Sequence, residues 1–596
     1  MSYQQAKWYP LSKKESIFSW WYVDNVQDID MSPIFSPYLR NARLDWQSII
    51  IRPWHDLFAT LTAWDYPRWI WAYLRSNTAD SRLVVRHNVS GTEKLVTITT
   101  WWTTANITTW TNITSNNKMR FVSVWDNIYT MNWVDPYGML NWTTYSTPTT
   151  NVKWFVITWA SGNYTVWETV TWWTSWATGR IDISNAQNAG RVVVTALTGT
   201  FITTEVITWG TSAVTSTIST ISQFTPSFWV VFNSCMWLSW RSFLPNVVFK
   251  TAWDIYTWVT STWSDRFTFQ EQMTWLSANS EALFYFTENS ISVTWFQDIT
   301  ETAGTVSYFT RPLTVKEGAV NHDCIIEVWA KTYYLATWNK ICMLARGNNV
   351  NWFEVIELSD RPYAGISKLM WSLAKDQRNA FAIYYPADDL IKRHLYSQWS
   401  TFADIVVIYD VWKDKFLVDE QKYFTDWVYF EWYNYTTSAI EPKVYRDEYW
   451  QSDEDQPIPF EYYTKEHYLW DSNNKKIIRE SDTLVDINEL AGLEQIIIVD
   501  WRQVDSKTID SDNIPLITWG IGTYEIWTSE IGTEWWSEDW DDMYEVNILR
   551  TKWNLNVKGK KIQRWFINNT LAGKVRLKNI DVKVEHLPEL AKNLTR

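Results

Sequence analysis

Thr332-Tyr-Tyr-Leu-Ala-Thr-Trp-Asn-Lys-Ile-Cys-Met-Leu344 is an apolar run, a tight turn and a second apolar run, the pattern of a β-hairpin. The unit recurs loosely as Phe121-Val-Ser-Val-Trp-Asp-Asn-Ile-Tyr-Thr-Met131 and Ala282-Leu-Phe-Tyr-Phe-Thr-Glu-Asn-Ser-Ile-Ser-Val293. A further copy is Ile405-Val-Val-Ile-Tyr-Asp-Val-Trp-Lys-Asp-Lys-Phe-Leu-Val418. Each hairpin alone can bury one face only, so several must pack side by side. Radial stacking as propeller blades meets that need and leaves only short edges. The spacing is too irregular for a WD40 or kelch array, so the sequence does not set the number of blades.

Working outward, four regions separate. Residues 1–40 read as an irregular arm, and 41–445 as the interrupted propeller. Residues 150–222 are rich in Thr and Ser and carry an internal repeat, Glu168-Thr-Val-Thr-Trp-Trp-Thr-Ser175 against Glu205-Val-Ile-Thr-Trp-Gly-Thr-Ser212. They predict a small inserted β module. After the acidic stretch Asp453-Glu-Asp-Gln-Pro-Ile-Pro459, strands are expected at Lys475–Arg479, Ile496–Val499, Tyr544–Leu549, Gly559–Ile567 and Lys574–Val584. That spacing fits a C-terminal antiparallel β-sandwich over 446–596. Helical signals are confined to Ser367–Lys375 and Thr483–Gln495. The expected class is all-β: an irregular β-propeller with an inserted small β module and a C-terminal antiparallel β-sandwich.

Composition narrows the functional classes. A chain of 596 residues is too long for one core. No apolar run approaches the ~20 residues that cross a bilayer, so no membrane insertion is expected. The first residues lack the layout of a signal peptide. Cys235, Cys324 and Cys342 have no metal-ligand spacing and read as reduced thiols of a chain made in a cytosol. A net charge of −13 argues against broad nucleic-acid binding, which needs a basic face.

The search for chemistry predicts no catalytic, cofactor-binding or metal-binding residues, and hence no enzyme. His55, His87, His322, His394, His467 and His586 are scattered and read as surface or strand-end residues. No phosphate-binding loop or nucleophile elbow is present. Glu538-Asp539-Trp-Asp541-Asp542 could ligate Ca²⁺ only if its loop folds back, and reads as a solvated loop. The basic stretch Lys552, Lys558, Lys560, Lys561, Arg564, Lys574, Arg576 and Lys578 reads as alternating solvent-facing strand positions. Contact with an acidic partner subunit or DNA is its alternative.

Tryptophan is the anomaly. The chain has 47 Trp and only 17 Gly, so glycine stands at under half its usual ~7 %. Doublets occur at Trp20-Trp21, Trp101-Trp102, Trp172-Trp173 and Trp535-Trp536. Others precede Asp or Asn in turn-like contexts, as at Trp125-Asp126 and Trp338-Asn339, where a residue tolerant of positive φ belongs. In 521–534, Trp527 fills the slot of Gly522 and Gly532, and Trp173 stands opposite Gly210 in the inserted repeat. Most of these tryptophans are expected to be glycine codons, UGA, read with the wrong genetic code. The alternative is a real aromatic surface for sugars.

With Trp read as Gly, Arg40-Asn-Ala-Arg-Leu-Asp-Trp-Gln-Ser-Ile-Ile-Ile-Arg-Pro-Trp54 becomes an Asn-x-Arg…Gly…Arg-Pro-Gly opening. It resembles the start of tailed-bacteriophage β-propeller virion proteins of the tail-hub, nozzle or neck type. Asn246-Val-Val-Phe-Lys-Thr-Ala-Trp-Asp254, Leu283–Val293, Val328–Leu335 and Glu357-Leu-Ser-Asp360 follow in an order similar to that family's blades, and Gly559–Arg564 with Val582–Glu585 resembles its terminal sandwich. The resemblance implies a non-enzymatic virion structural protein made in the host cytoplasm and located at the tail or head–tail junction. Its implied partners are portal, neck and tail subunits, in a homo-oligomeric ring that passes DNA without reading its sequence and needs no cofactor. A carbohydrate-binding or glycan-depolymerising protein with genuine tryptophans is the alternative.

Overall fold

The computed structural model describes residues 11–585 apart from 16–20, 23–34, 62–66, 74–80, 99–103, 108–118, 133–137, 147–152, 186–190, 251–264, 298–306, 348–352, 451–457, 469–475, 510–545, 569–574 and shorter gaps. About 70% of the described residues are in β-strands and almost none are helical, and the strands form many small sheets. Five sheets are four-stranded antiparallel meanders, built from strands within 67–107, 120–146, 228–268, 273–314 and 326–357. The four hairpins read from sequence are all present: Val124 pairs Asn127, Phe286 pairs Ile291, Ala336 pairs Lys340, and Asp410 pairs Lys415.

A seven-stranded sheet follows, in the order Phe381–Tyr385, Leu390–Leu395, Ala403–Asp410, Lys415–Phe430, Tyr433–Ser438, Lys443–Trp450 and finally Trp54–Thr60. Its central strand, Lys415–Phe430, shifts register on both sides. The part up to Glu420 pairs with Ile405–Asp410, and Phe424–Phe430 pairs with Tyr433–Ser438. The sheet therefore reads as two four-stranded units sharing one bent strand. The second unit is completed by the early strand Trp54–Thr60 against Lys443–Trp450.

Consecutive sheets share cores. Successive side chains on a strand point to opposite faces, and here both faces are covered. Leu283 and Tyr285 pack with Phe228, Trp237 and Leu276, while Ala282, Phe284 and Phe286 pack with Tyr334, Ala336 and Leu344. On the next sheet Tyr333 and Leu335 face Ile391, Val407 and Tyr409. This is why Ala282–Thr287 reads as an unbroken apolar run and not as an alternation. Phe58, Val428 and Val444 share a core with Ile70, Leu83 and Val96. Trp69, Val84 and Leu95 share one with Phe121, Ile128 and Leu140.

Strands Lys153–Ala160, Arg191–Thr198, Thr178–Asn185, Thr169–Trp172, Val206–Trp209 and Thr215–Gln223 close into a six-stranded barrel in that order. It fills the position expected for the inserted module. Its core holds Phe155, Val170, Trp172, Ile181, Phe201 and Ile218. The two copies of the internal repeat lie side by side: Val170 pairs Trp209, Thr171 pairs Thr208 and Trp172 pairs Ile207. Trp173 and Gly210 themselves lie outside the described residues.

Two further sheets lie toward the C-terminus. One runs Val546–Gly559, Lys476–Asn488, Val575–Glu585, Ser48–Ile51, Ala42–Asp45; the other runs Tyr38–Arg40, Phe460–Tyr463, Lys561–Asn568, Leu493–Val499, Arg502–Ile509. They share a core of Ile49, Ile51, Val485 and Leu577 with Leu39, Tyr462, Leu493 and Phe566, which also takes in Leu390, Val406 and Leu417 of the seven-stranded sheet.

Three expectations change here. Leu11–Glu15, expected in an irregular arm, is a strand paired with Ile580–Val584. Ala42–Asp45 and Ser48–Ile51, expected in the propeller, are strands of a C-terminal sheet. The cause is pairing between the two ends of the chain, which leaves no local signal. Thr483–Gln495, expected as a helix, is divided between two strands, because Lys476–Asn488 is hydrogen-bonded on both edges and this outweighs local propensity. The other expected helix, Ser367–Lys375, is present as Ser367–Ser372.

Candidate functional site: buried joints between sheets

The stretch that carries the resemblance, Asn41-x-Arg43…Arg52, forms a buried polar cluster with partners far along the chain. Asn41 is buried in the left-handed region, φ 53°, which asparagine tolerates better than most residues. Its N–H donates to the carbonyl of Val418 at 2.9 Å, and its carbonyl accepts the N–H of Arg52 at 2.9 Å. The side-chain Nδ2 donates to the carbonyl of Pro459 at 2.6 Å. Oδ1 accepts the N–H of Glu420 at 2.9 Å and Nε of Arg52 at 3.2 Å. One amide thus binds three separate segments, and a carboxylate could not supply the donor.

Two residues on, Arg43 engages Asp419 through both guanidinium arms, at 2.9 and 2.8 Å, with the carboxylate fully buried. Such a planar fork is specific to arginine. Arg40 pairs with Glu420 beside it. Together these groups fasten strands 38–51 to the long strand Lys415–Phe430. Further along the same sheet, Lys392 and Asp447 form a buried pair at 2.7 Å that links its two units.

A second joint brings four sheets together. Arg120 opens the strand Arg120–Val124; its Nε and Nη2 lie 2.5 Å from the two ring nitrogens of His322, and Nη1 donates to the carbonyl of Ser227. The guanidinium also lies over the rings of Phe228 and Trp275, at 5.5 and 5.6 Å. The His322 ring packs tilted against Trp275, with centroids 4.5 Å apart, and adjoins the Asp323 carboxylate. Next to it, Asn321 donates to the carbonyls of Gln377, Arg378 and Ala380, extending the joint to the seven-stranded sheet.

Arg393 is different in kind. It is fully buried, and among the described residues none of its three guanidinium nitrogens has a hydrogen-bond partner. Burial lowers its pKa to about 10. Around the same core, burial pushes the Tyr333 phenol up to about 12 and the Cys342 thiol up to about 12, and raises Tyr334 and Tyr409.

Among the described residues no group of three His, Cys, Asp or Glu is placed to hold a metal, and the three cysteines are free and buried. His322 and His394, read as surface or strand-end residues, are both buried; His394 lies next to the end of its strand, and the joint carries His322 inward. His586, Asp453–Asp455 and Glu538–Asp542 lie outside the described residues. Arg564, expected to face solvent, is buried, while Lys560 and Lys574 lie outside the described residues. Sequence reasoning missed Asp419, Glu420, Arg120 and Asn321 as joint residues. Each is hundreds of positions, or at least one sheet, away from its partner, and no local pattern marks it.

No family model matches the chain, and no curated protein does. Similar solved structures include the computationally designed Ika8 protein, at 8 % identity over 66 % of this chain and 99 % of that one, with a TM-score of 0.30. Sqt1 of Saccharomyces cerevisiae matches at 11 % identity over 66 % of this chain and 98 % of that one, TM-score 0.31. YCF48 bound to D1 peptide matches at 9 % over 69 % and 99 %, TM-score 0.31. These are β-propeller proteins, but likeness at such scores carries no argument, and the architecture rests on strand pairing and shared cores.

Proposed function

We propose that the five meanders and the two units of the seven-stranded sheet are seven blades of one β-propeller, closed by strand Trp54–Thr60 in the last blade, and that the chain is a non-enzymatic structural subunit of a tailed-bacteriophage virion. The observation that carries the structural reading is the use made of the motif Asn41-x-Arg43…Arg52. Its polar groups bind other parts of the same chain, as a joint does, and leave no group poised for a reaction. The core shared by Phe58, Val444, Ile70 and Leu83 supports the closure. The virion assignment rests on the serial resemblance of the blades.

In that setting the barrel and the C-terminal sheets are contact modules on a rigid ring of sheets. Several copies form a closed ring at the tail or head–tail junction, binding portal, neck or tail subunits. A net charge of −13 suits a channel through which DNA slides without sticking. Electron micrographs of the purified chain test the reading: rings of six or twelve copies are expected, and a population of monomers alone overturns it.

Glycan binding is a second reading, favoured by indoles that stand in solvent, Trp399 at 93 % exposure above all. It requires that Trp399→Ala abolish binding to a polysaccharide. Absence of any polysaccharide binding by the unaltered chain removes it.

A further inference from the structure

Ten non-glycine residues among those described have positive φ. Five are Asn or Asp, which tolerate that region, and one is Thr204. The other four are Trp176, Trp329, Trp338 and Trp501, at 54°, 57°, 66° and 69°. Aromatic character does not explain them. The chain has 31 Tyr and 25 Phe, and among the described residues none has positive φ.

The turns themselves ask for glycine. Asp500 and Trp501 are the two residues between the paired Val499 and Arg502, and both have positive φ, 47° and 69°. That is the sign pattern of a type I′ turn, whose preferred sequences include Asp-Gly. Trp329 is the first of two residues between the paired Val328 and Lys331, and it alone of the two is positive, as in a type II′ turn, where glycine belongs first. Trp338, with φ 66° and ψ 27°, is left-handed in the link from Ala336 to Lys340. Trp176 lies in the barrel turn between Thr171 and Thr178, and the only described glycine of positive φ, Gly199, is in the same barrel.

The four indoles also stand largely in solvent. They are 77, 73, 70 and 69 % exposed. Trp329 and Trp338 flank the six-residue strand Lys331–Ala336 and so stand about 20 Å apart, too far to form one platform. Trp237 is the contrast. It is fully buried, its Nε1 donates to the Phe232 carbonyl at 3.2 Å, and its ring meets Phe267 at 5.3 Å.

We propose that positions 176, 329, 338 and 501 are glycine in the protein that its own genome specifies, each a UGA codon written here as tryptophan, and that Trp237 is a genuine tryptophan. The backbone evidence is independent of the repeats, in which Trp527 takes the slot of Gly522 and Gly532. It is independent of the virion assignment as well. It removes these four indoles from any candidate sugar-binding surface.

The gene's nucleotides test the proposal. TGA is expected at all four positions and TGG at 237; TGG at two or more of the four overturns it. The protein supplies a second test. The quadruple variant Trp176→Gly, Trp329→Gly, Trp338→Gly, Trp501→Gly is expected to unfold at a higher temperature than the chain as written, whereas Trp237→Gly unfolds at a lower one. A quadruple variant that is unchanged or less stable contradicts glycine at those turns.

Discussion

At the scale of the residue, fully buried charges carry the largest single effects. Removing one member of a buried, hydrogen-bonded ion pair leaves the other uncompensated. Arg43→Ala, which strands Asp419, is therefore expected to cost about 3–5 kcal/mol in denaturant unfolding. Arg43→Lys loses the two-armed fork and should recover only part of that loss. Arg393 runs the other way: a buried guanidinium without a hydrogen-bond partner is a cost already present. Arg393→Met is expected to raise the thermal midpoint, and a lowered midpoint would refute that account. The neighbouring phenols and thiol give a pH dependence. In the unfolded chain Tyr333 ionises near 10.0 and Cys342 near 9.0, whereas burial holds both protonated to about 12. Stability is thus complete below pH 9 and falls between about 9 and 12, as the unfolded state loses protons that the folded state retains. Arg393, lowered to about 10, opposes the later part of this loss. Denaturant titrations from pH 8 to 11 should show a declining midpoint; a flat profile would contradict the burial of these groups. Of these residues only Asn41, Arg43 and Arg52 could be singled out in the sequence, and only through a resemblance. Asp419 lies 376 positions from Arg43, and nothing near it in the sequence announces the pair.

At the scale of the element, strands with two buried faces are the structural unit. Phe284 belongs to one shared core and Leu283 to the opposite one. Phe284→Ala is expected to cost about 3–5 kcal/mol, because neighbours anchored on both sides of the strand relax poorly into the cavity. Urea unfolding followed by far-UV circular dichroism would check it. Gly138 is fixed by a close approach: an added methyl would fall 1.7 Å from the Tyr145 hydroxyl. Hairpins such as Ala282–Gln297 and Lys331–Arg346 were legible because turn chemistry and strand periodicity are local. The strand over Thr483–Asn488 was not, because its two-sided pairing lies far along the chain. The pairing of Ser48–Ile51 with the C-terminal strand Val575–Glu585 was hidden for the same reason. Tryptophan in turns obscured the signal further, since glycine is the residue from which a turn is read.

At the scale of the whole molecule, five four-stranded sheets and the seven-stranded sheet share cores or polar joints with their neighbours, and the barrel and C-terminal sheets are added to that series. Non-local pairing of this kind folds slowly. It also makes an early strand responsible for completing the seven-stranded sheet. Trp54–Thr60 does so by pairing with Lys443–Trp450, with Ala59 opposite Val444. Cross-strand partners at this spacing are close enough for a disulfide. In the double variant Ala59→Cys, Val444→Cys, mild oxidation is predicted to form an intramolecular disulfide in nearly every molecule and to raise the thermal midpoint. A folded double variant whose two new cysteines stay reduced under the same oxidation would contradict that pairing, and with it the proposed closure.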